Sequence, residues 1–499
     1  AAALLPLATE AFARAGGGGH YSGGGGGFGG GGFGGGGGGG GLYFVVLYVE
    51  FVVEHPLVGL PITAFFAYVA WQVYGQSDVM LVSDDRMHRT IRDAAGVQGA
   101  RRRDAALAAL RARDPGFSVE AFLSRVTAAF LKTQAAWSAQ DMASARAFIS
   151  DGVMERFTIQ LAMAKADGKR DLVTDVRVGD ASIVELESDA HFDTVHVRLE
   201  ASAVDQEVAL ADGRRVFGSG SRQGFTEVWS FLRRPGAKTL ERPGLVEGAC
   251  PNCGAPLELS DAARCPRCKS WVNSGEYDWV LSEITQESEW AVRGGGEAVP
   301  GFAELAAKDP ALNTQFLEDR ASLVFWRWQW AFSQGTSAPL RAVAADGCCR
   351  ALETEMARAP VYFRDAAVGA VEVQAVETGS ELDLAHVLVK WSGDSFEGPP
   401  GKGRERGPAL RQHVIVLERK AGAATDARAG LRSAACPSCG APASGPDQAK
   451  CEYCGAAFND GARSWVAREI VPVGLWRRPA GAEAAAPEED GGTPLRALA

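Results

Sequence analysis

The stretches CPNCGAPLELSDAARCPRC, residues 250–268, and CPSCGAPASGPDQAKCEYC, residues 436–454, decide the organisation of this chain. In each stretch two Cys-x-x-Cys pairs are separated by eleven residues. Two residues between paired cysteines allow a tight turn that brings both thiolates to one metal ion, and four thiolates close a tetrahedron around Zn²⁺. The spacing therefore predicts two structural zinc ribbons with one zinc ion each. The predicted ligands are Cys250, Cys253, Cys265 and Cys268 in ribbon 1, and Cys436, Cys439, Cys451 and Cys454 in ribbon 2.

The cysteines admit two other interpretations. Disulfide bonds would fit an oxidising compartment. A four-thiolate iron site would indicate electron transfer, although the short gap between the pairs favours a zinc ribbon. Because each ribbon is too small to bury much apolar surface, metal binding is expected to supply most of its folding free energy, about 10–16 kcal/mol. Cys348 and Cys349 lie outside both ribbons and are predicted to pack in a helix, with a vicinal redox pair as the alternative.

Each ribbon follows one copy of a repeated segment. Early in the copies the offset is 195 residues, and Phe130, Gln134, Ser138, Asp151 and Gly152 recur as Phe325, Gln329, Ser333, Asp346 and Gly347. Later the offset is 186 residues for Arg233, Gly236 and the four ribbon cysteines, which recur as Arg419, Gly422 and the cysteines of ribbon 2. Matches this regular predict a tandem duplication in which the second copy lost about nine residues of its sheet region.

Both copies have a helical first half and a strand-rich second half. In the first copy, helical spacing of Phe122, Val126, Phe130 and Trp137 predicts one helix, and two more are predicted at Met142–Ile149 and Glu155–Lys165. Alternating patterns predict strands at Val176–Glu187, His191–Ala203, Gly224–Arg233, Val368–Thr378, Asp383–Trp391 and Gln412–Arg419. The predicted fold class is α+β, with helices packed on antiparallel sheets in modules 116–236 and 300–422.

The segments behind the ribbons are predicted to be short helices. They are Trp279–Ile284 and Trp465–Ile470, and they complete ribbon regions 248–290 and 434–472. Residues 473–499 are rich in Ala, Pro, Glu and Gly near their end and are predicted to form a flexible tail.

The N-terminal part of the chain is predicted to attach it to a membrane. Residues 1–15 resemble the remnant of an export signal with a small-residue cleavage pattern, a short amphipathic helix being the alternative. Residues 16–41 are nearly pure glycine and are expected to be a disordered spacer. Within the membrane segment 42–75, the eighteen uncharged residues Leu57–Tyr74 are just long enough for a hydrocarbon core of about 30 Å.

Charge predicts the orientation of this segment. Arg14 is the only Arg or Lys before the span, whereas the basic linker 76–115 contains Arg86, Arg89, Arg92, Arg101, Arg102 and Arg103. Because positive residues stay on the cytoplasmic side, everything after Gly75 is expected in the cytoplasm. The net charge of −10 argues against a general nucleic-acid binder.

The stretches FLKTQAAW, residues 130–137, and SDGVMERF, residues 150–157, resemble the Tim44-like family. The resemblance covers most of residues 1–235 and implies a cone-shaped fold of the nuclear-transport-factor-two type, attachment to the bacterial inner membrane, and protein binding. It implies no catalytic residues. The second copy departs from the pattern, since Phe332 replaces Trp137 and Arg350 replaces Glu155.

The run FWRWQW, residues 325–330, is a further candidate site. On a helix, Trp326 and Trp330 share one face and Trp328 points elsewhere. One face is expected in the core, and the other could line a peptide-binding groove or a rim that contacts the membrane.

The acid–base groups of the predicted sheet are His191, Asp193, His196 and Glu227. Asp193 and His196 lie three residues apart, so a regular strand points them to opposite faces. The second copy repeats them as Asp383 and His386 but has Glu381 in place of His191. No nucleophile–base pair is identifiable, and we expect solvated strand residues.

The sequence therefore predicts a scaffold and not an enzyme, whose cytoplasmic modules bind membrane lipid or segments of an unidentified protein partner. No small-molecule substrate is indicated. The alternatives are a module interior used for small-molecule binding or acid–base catalysis, and ribbons that bind nucleic acid. Nucleic acid is disfavoured because Trp271 is the one aromatic residue beside the basic residues Arg264, Arg267 and Lys269, and ribbon 2 offers only Lys450 and Arg463.

Overall fold

The computed structural model describes residues 99–218, 220–257, 263–290, 299–426, 436–441 and 447–479. The predicted export-signal remnant (1–15), glycine-rich spacer (16–41) and membrane segment (42–75) lie outside these residues. Among the helices of the described part, none is both long and apolar enough to span a membrane. The assignments made for the N-terminal region therefore stay predictions.

The first module has three α-helices in its described part, and the second and third begin after a serine that caps them. They are α1 at 99–113, α2 at Val119–Ser138 and α3 at Asp151–Ala166. The side chains of Ser118 and Ser150 precede α2 and α3 and accept hydrogen bonds from Ala121 N–H and Val153 N–H. Such N-caps satisfy backbone donors that have no partner inside the helix.

Sheet 1 of the first module is antiparallel. Its strands are β1 Lys169–Ser188, β2 Asp193–Ala209, β3 Arg215–Gly218, β4 Gln223–Arg233 and β5 Val280–Gln286. Their order is β1-β2-β4-β5, and β3 pairs with β2. The sheet packs on α2, where the rings of Phe130 and Trp229 lie 5.2 Å apart. The residues of this core alternate along β2, as Val195, Val197 and Leu199 do.

The second module repeats this architecture. Its helices are α4 Phe302–Lys308, α5 Thr314–Gln334 and α6 Asp346–Arg358, and the strands of sheet 2 are β6 Val361–Glu377, β7 Leu382–Glu397, β8 Arg404–Lys420 and β9 Val466–Pro472. The order in this antiparallel sheet is β6-β7-β8-β9. Two antiparallel sheets with packed helices confirm the predicted α+β class.

The segments behind the ribbons are strands, so their prediction as helices was wrong. Trp279–Ile284 lies mostly in β5 and Trp465–Ile470 mostly in β9, which pair with β4 and β8. A register shift interrupts each pairing, at Ser230/Phe231 and at Val416/Leu417. These bulges break the alternation of buried residues that identifies a strand. Each ribbon is therefore inserted between the last two strands of its sheet.

The second predicted helix, Met142–Ile149, is also absent from the described chain at this position. Met142–Ser144 forms one 3₁₀ turn, and Ile149 forms a parallel bridge with Leu281 of β5. Residues 145–150 are all buried. A surface helix keeps one polar, exposed face, and this segment has none because it lies inside the module beside the last strand.

Two predicted boundaries also change. In the predicted linker 76–115, helix α1 packs on the first module through Leu110, which is 1% exposed, and Arg113 forms an ion pair with Asp193 at 2.7 Å. In the predicted tail, Trp476 Nε1 donates a hydrogen bond to His386 Nδ1 at 3.0 Å. The apolar side chains Leu110 and Trp476 extend the modules at both ends, and residues 480–499 lie outside the described chain.

One set of buried contacts occurs in both modules. Asp114 accepts hydrogen bonds from Arg233 at 2.9 Å and from the Thr239 hydroxyl at 2.6 Å, and the Arg233 guanidinium lies 4.5 Å from the centre of the Trp279 ring. The second module has the same contacts at 2.7, 2.5 and 4.6 Å among Asp309, Arg419, Thr425 and Trp465. Burial raises the pKa of both carboxyl groups, but hydrogen bonds from Thr and Arg outweigh it and leave each pKa below its ordinary value.

The two modules pack together through α3 of the first and α5 of the second. Arg327 Nε donates to Glu155 Oε1 at 2.7 Å. Ile159 of α3 is 1% exposed and belongs to the hydrophobic core of the second module. The interface is therefore part of the folded core, with a buried apolar residue and a largely buried ion pair.

Candidate metal centres

The fold brings the eight predicted ligands together in two groups of four: Cys250, Cys253, Cys265 and Cys268, and Cys436, Cys439, Cys451 and Cys454. Within each group all sulfur atoms lie within 4.8 Å of one another. In ribbon 1 the Sγ atoms of Cys250 and Cys268 lie 3.6 Å apart, and those of Cys253 and Cys265 lie 3.8 Å apart. Both corresponding distances in ribbon 2 are 3.7 Å.

These distances fit a tetrahedral four-thiolate metal site. Zn–S bonds of about 2.3 Å place the sulfur atoms of a regular tetrahedron about 3.8 Å apart. A disulfide requires about 2.05 Å, and all of these cysteines are free thiols. Each group can therefore hold one metal ion. Four thiolates leave no open coordination position, so the chemistry supplied by a bound ion is structural: it ties two chain turns together.

Each Cys-x-x-Cys pair lies in a tight turn. The residue after the second cysteine donates its N–H to the carbonyl of the first, as Gly254 does to Cys250 at 2.8 Å. This residue has a positive φ in all four turns: +74° at Gly254, +63° at Lys269, +71° at Gly440 and +71° at Gly455. Glycine relieves three of the turns, whereas Lys269 adopts a conformation that is unfavourable for a residue with a Cβ.

The thiols of one site lie in unequal surroundings. Burial raises the pKa of Cys250 to about 12. At Cys268, hydrogen bonds from the side chain and backbone of Ser270 lower the pKa to about 6. Ribbon 1 therefore holds one sulfur inside the protein and another at its surface.

Cys348 and Cys349 lie at the start of α6, and both are buried in the second core. Burial raises the pKa of Cys348 to about 12 and also raises the pKa of Cys349. Because the thiolate is the reactive form, these surroundings favour the packing interpretation of the pair over the redox interpretation.

Three of the predicted acid–base residues are buried, so the expectation that they are solvated was wrong. Asp193 is 0% exposed and binds Arg113 and Ser188, each at 2.7 Å. Glu227 is 1% exposed and accepts a hydrogen bond from Trp229 Nε1 at 3.0 Å. His196 is 4% exposed, while His191 is half-buried.

His196 has a carboxylate partner that sequence reasoning missed. Its Nδ1 lies 2.8 Å from Ser230 Oγ, its Nε2 lies 4.0 Å from Glu187, and its ring centre is 4.6 Å from that of Trp290. Glu187 comes from the neighbouring strand β1, beyond a register shift between Ile183 and Glu185. Considering one strand at a time could therefore not identify the pair.

The second module contains a similar group around His386. Its Nε2 lies 2.8 Å from Glu377, and its Nδ1 accepts the hydrogen bond from Trp476. The signal in the sequence was present: Trp290 and Trp476 are separated by 186 residues, the same offset as the ribbon cysteines.

A cleft with many polar residues in its lining lies between the two modules. Its lining includes Glu187, His196 and Ser230 of the first module and Gln315, Ser322 and Val371 of the second. His196 alternates along β2 with the core residues Val195 and Val197. The cleft is therefore on the other face of sheet 1 from the α2-packed core, and not in the module interior that the alternative prediction of an active site requires.

The tryptophans of α5 serve packing. Trp326 is 0% exposed and Trp328 is 7% exposed. Trp328 packs against the rings of Phe332 and Trp391, at 5.1 and 5.9 Å, and Trp326 receives the guanidinium of Arg156 from the first module at 5.7 Å. Both faces of α5 therefore pack against other parts of the protein. Trp328 is a core residue and does not line an open peptide groove.

Part of the chain is similar to a known protein family. Residues 103–241 match the sequence model of the family described as "Tim44-like domain". No curated protein matches the chain. Seven chains of solved structures do, and one is an "Ntf2 like protein involved in plasmid conjugation", 8% identical, with 58% of this chain and 92% of that chain covered at a TM-score of 0.12. A score this low supports no conclusion about this protein.

Proposed function

We propose that this chain, whose residues 103–241 match the Tim44-like domain, is a membrane-anchored scaffold that binds protein segments or lipid near a bacterial inner membrane. The match to that domain is the observation that carries a binding role. The packing of α3 on α5 supports the term scaffold, because Arg327 and Glu155 connect the modules through a largely buried ion pair. Surfaces on the two modules are then held at a fixed separation.

The proposed ion in each four-cysteine group is zinc. Its role is to fix the ribbon that connects the last two strands of each sheet. Zinc is favoured over iron by the short gap between the Cys-x-x-Cys pairs. Reduced thiolates also fit the cytoplasmic side of the membrane, which the charge distribution around the predicted span favours for both modules.

We also ascribe the two modules to duplication. The repeated contacts support this origin, since Asp114 and Arg233 in the first module correspond to Asp309 and Arg419 in the second. The second module would then provide a second binding surface with a modified sequence. The outer face of α6 is exposed and charged, whereas the neighbouring module covers the corresponding helix α3.

A flotation experiment tests the membrane anchor. The full chain is expected to float with phospholipid vesicles at high salt, and a variant without residues 42–75 is expected to remain at the bottom of the gradient. Deletion of residues 16–41 is the matched control and should leave flotation unchanged, because a glycine-rich spacer inserts no apolar surface. Flotation of the variant without 42–75 would overturn the proposed anchor.

The cleft between the modules favours a second candidate function, acid–base chemistry on a small molecule. The observation is the hydrogen bond between His196 and Ser230 at 2.8 Å, with Glu187 near the other ring nitrogen. This arrangement places a hydroxyl, a base and a carboxylate in one polar cleft. Hydrolysis of a nitrophenyl ester by the full chain that disappears in Ser230→Ala would favour this function. Equal rates of ester hydrolysis in both proteins would contradict this second function.

A further inference from the structure

A second cleft separates the two ribbons. Ribbon 1 contributes Arg264 and Trp271, and ribbon 2 contributes the turn at 436–440 and Arg463. Phe316 at the start of α5 also lines it. The ribbons are far apart in sequence, so no single ribbon reveals this surface. Clefts between domains are common locations for ligand sites.

The exposed charge in this cleft is mainly positive. Arg264 donates one hydrogen bond, from Nε to Lys269 O at 2.7 Å, and Arg463 donates one to Ser438 Oγ. A guanidinium has five N–H donors, so most donors of both side chains remain available within the described structure. Asp426 is the one carboxylate in the described lining. Arg419 also lines the cleft, but its charge is already paired with Asp309 at 2.7 Å.

Aromatic surface lies next to these charges. The rings of Trp271 and Phe316 belong to half-buried residues, and the Arg264 guanidinium lies 5.5 Å from the centre of the Trp271 ring. Arginine and tryptophan are enriched at the centres of protein interfaces, because both offer large contact areas together with directional interactions. The cleft thus combines carboxylate recognition with a surface for an apolar side chain.

We infer that the cleft between the ribbons binds an acidic peptide segment that carries an aromatic or large apolar side chain. The inference rests on the proposed scaffold function and assigns it a binding surface. Carboxylates of the peptide accept hydrogen bonds from Arg264 and Arg463, and the apolar side chain packs on Trp271 and Phe316. The Cys436–Cys439 turn forms part of the wall, so the site also requires an ordered ribbon 2.

A peptide fits this cleft better than a nucleic acid. Single-stranded nucleic acid is bound by basic grooves that follow the backbone over several nucleotides, with aromatic rings for successive bases. The cleft offers two exposed guanidinium groups in its described lining, opposed by Asp426. The chain as a whole carries a charge of −10, which disfavours a polyanion that must approach more of the surface.

Fluorescence anisotropy with the full, zinc-loaded chain in detergent tests this inference. The probe is a fluorescein-labelled peptide of alternating Glu and Phe. Arg264→Glu with Arg463→Glu is expected to weaken binding about tenfold or more, because charge-assisted hydrogen bonds are replaced by repulsion. The matched control reverses two exposed arginines of α6, Arg350→Glu with Arg358→Glu, and should bind like the original chain. Arg264→Gln should give an intermediate affinity.

Equal weakening in both double variants would overturn the inference, since overall charge would then explain the effect. Tighter binding of oligothymidylate that depends on Arg264 and Arg463 would also overturn it and assign the cleft to nucleic acid. Peptide binding that depends on these arginines in a chain that fails to float would support the cleft and contradict only the membrane anchor. Flotation without peptide binding would contradict the cleft alone.

Discussion

The amide N–H of Gly152, in the first turn of α3, donates a hydrogen bond to Asp319 Oδ1 on α5 of the other module at 2.9 Å. A Cβ at residue 152 would lie 2.4 Å from that oxygen and 2.7 Å from the Asp319 carbonyl oxygen. The close approach of the two helices therefore depends on glycine. At the corresponding residue of the second module, Gly347, a Cβ would meet nothing within 4 Å.

This difference gives a matched pair of substitutions. Gly152→Ala is expected to reduce the free energy of unfolding by about 3 kcal/mol, because the methyl group must separate α3 from α5. Gly347→Ala should be neutral or slightly stabilising, since alanine favours an exposed helical position. Urea unfolding followed by tryptophan fluorescence measures both. Equal effects of the two substitutions would contradict the described module interface.

The turn at Lys269 offers a stabilising substitution. Its φ of +63° disfavours a residue with a Cβ, so Lys269→Gly is expected to raise the stability of ribbon 1 by about 1 kcal/mol. The change also removes the hydrogen bond from Lys269 Nζ to Pro266 O, which is exposed. Thermal unfolding of the zinc-loaded chain gives the change.

The control for this substitution is Gly254→Ala in the other turn of the same ribbon. Its φ of +74° and a Cβ contact of 3.3 Å with Arg242 predict a loss of about 1–2 kcal/mol. Stabilisation by Gly254→Ala, or destabilisation by Lys269→Gly, would contradict the described turn geometry.

His413 predicts a loss of stability in mild acid. Burial and, secondarily, Arg411 lower its pKa to about 4 from an ordinary value of 6.5. Between these values the unfolded chain binds a proton and the folded chain does not, so stability falls as the pH decreases through this interval and the loss is complete below it. Protonation would also remove the Nδ1 acceptor of Trp391 Nε1, which lies at 3.0 Å.

The measurement compares unfolding at pH 7.5 and pH 5. The loss attributable to His413 is expected to be about 2 kcal/mol at pH 5. His413→Gln retains an acceptor for Trp391 without titrating and should reduce the difference. An unchanged pH dependence in His413→Gln would show that other groups control the acid response.

Sequence patterns were sufficient for the thiolate pairs and for the regular strands, where the physical signal is local. The thiolates of Cys250 and Cys253 need only a tight turn to approach one metal ion. The alternation along β2 follows from a regular strand. The strand β5 could not be recognised in the same way. It has a bulge opposite Ser230 and Phe231, and its place beside Ile149 depends on the chain returning from ribbon 1.

The polar clusters were missed because their partners come from different strands or modules. His196 meets Glu187 only through the shifted register of β1 and β2. Likewise, Arg264 and Arg463 line one cleft but belong to the ribbons of different modules. Periodicity within one segment does not show which residues of another segment lie beside it. The offset between Trp290 and Trp476, which equals that of the ribbon cysteines, does indicate that the two histidine clusters correspond.

The central claim is that the four-cysteine groups hold zinc in a reduced, structural site. The direct measurement is the metal content of the purified full chain, combined with X-ray absorption at the zinc edge. The prediction is one zinc ion for each group, surrounded by four sulfur atoms at about 2.3 Å. Iron in these sites, or chains without metal whose cysteines are oxidised to disulfides, would contradict it.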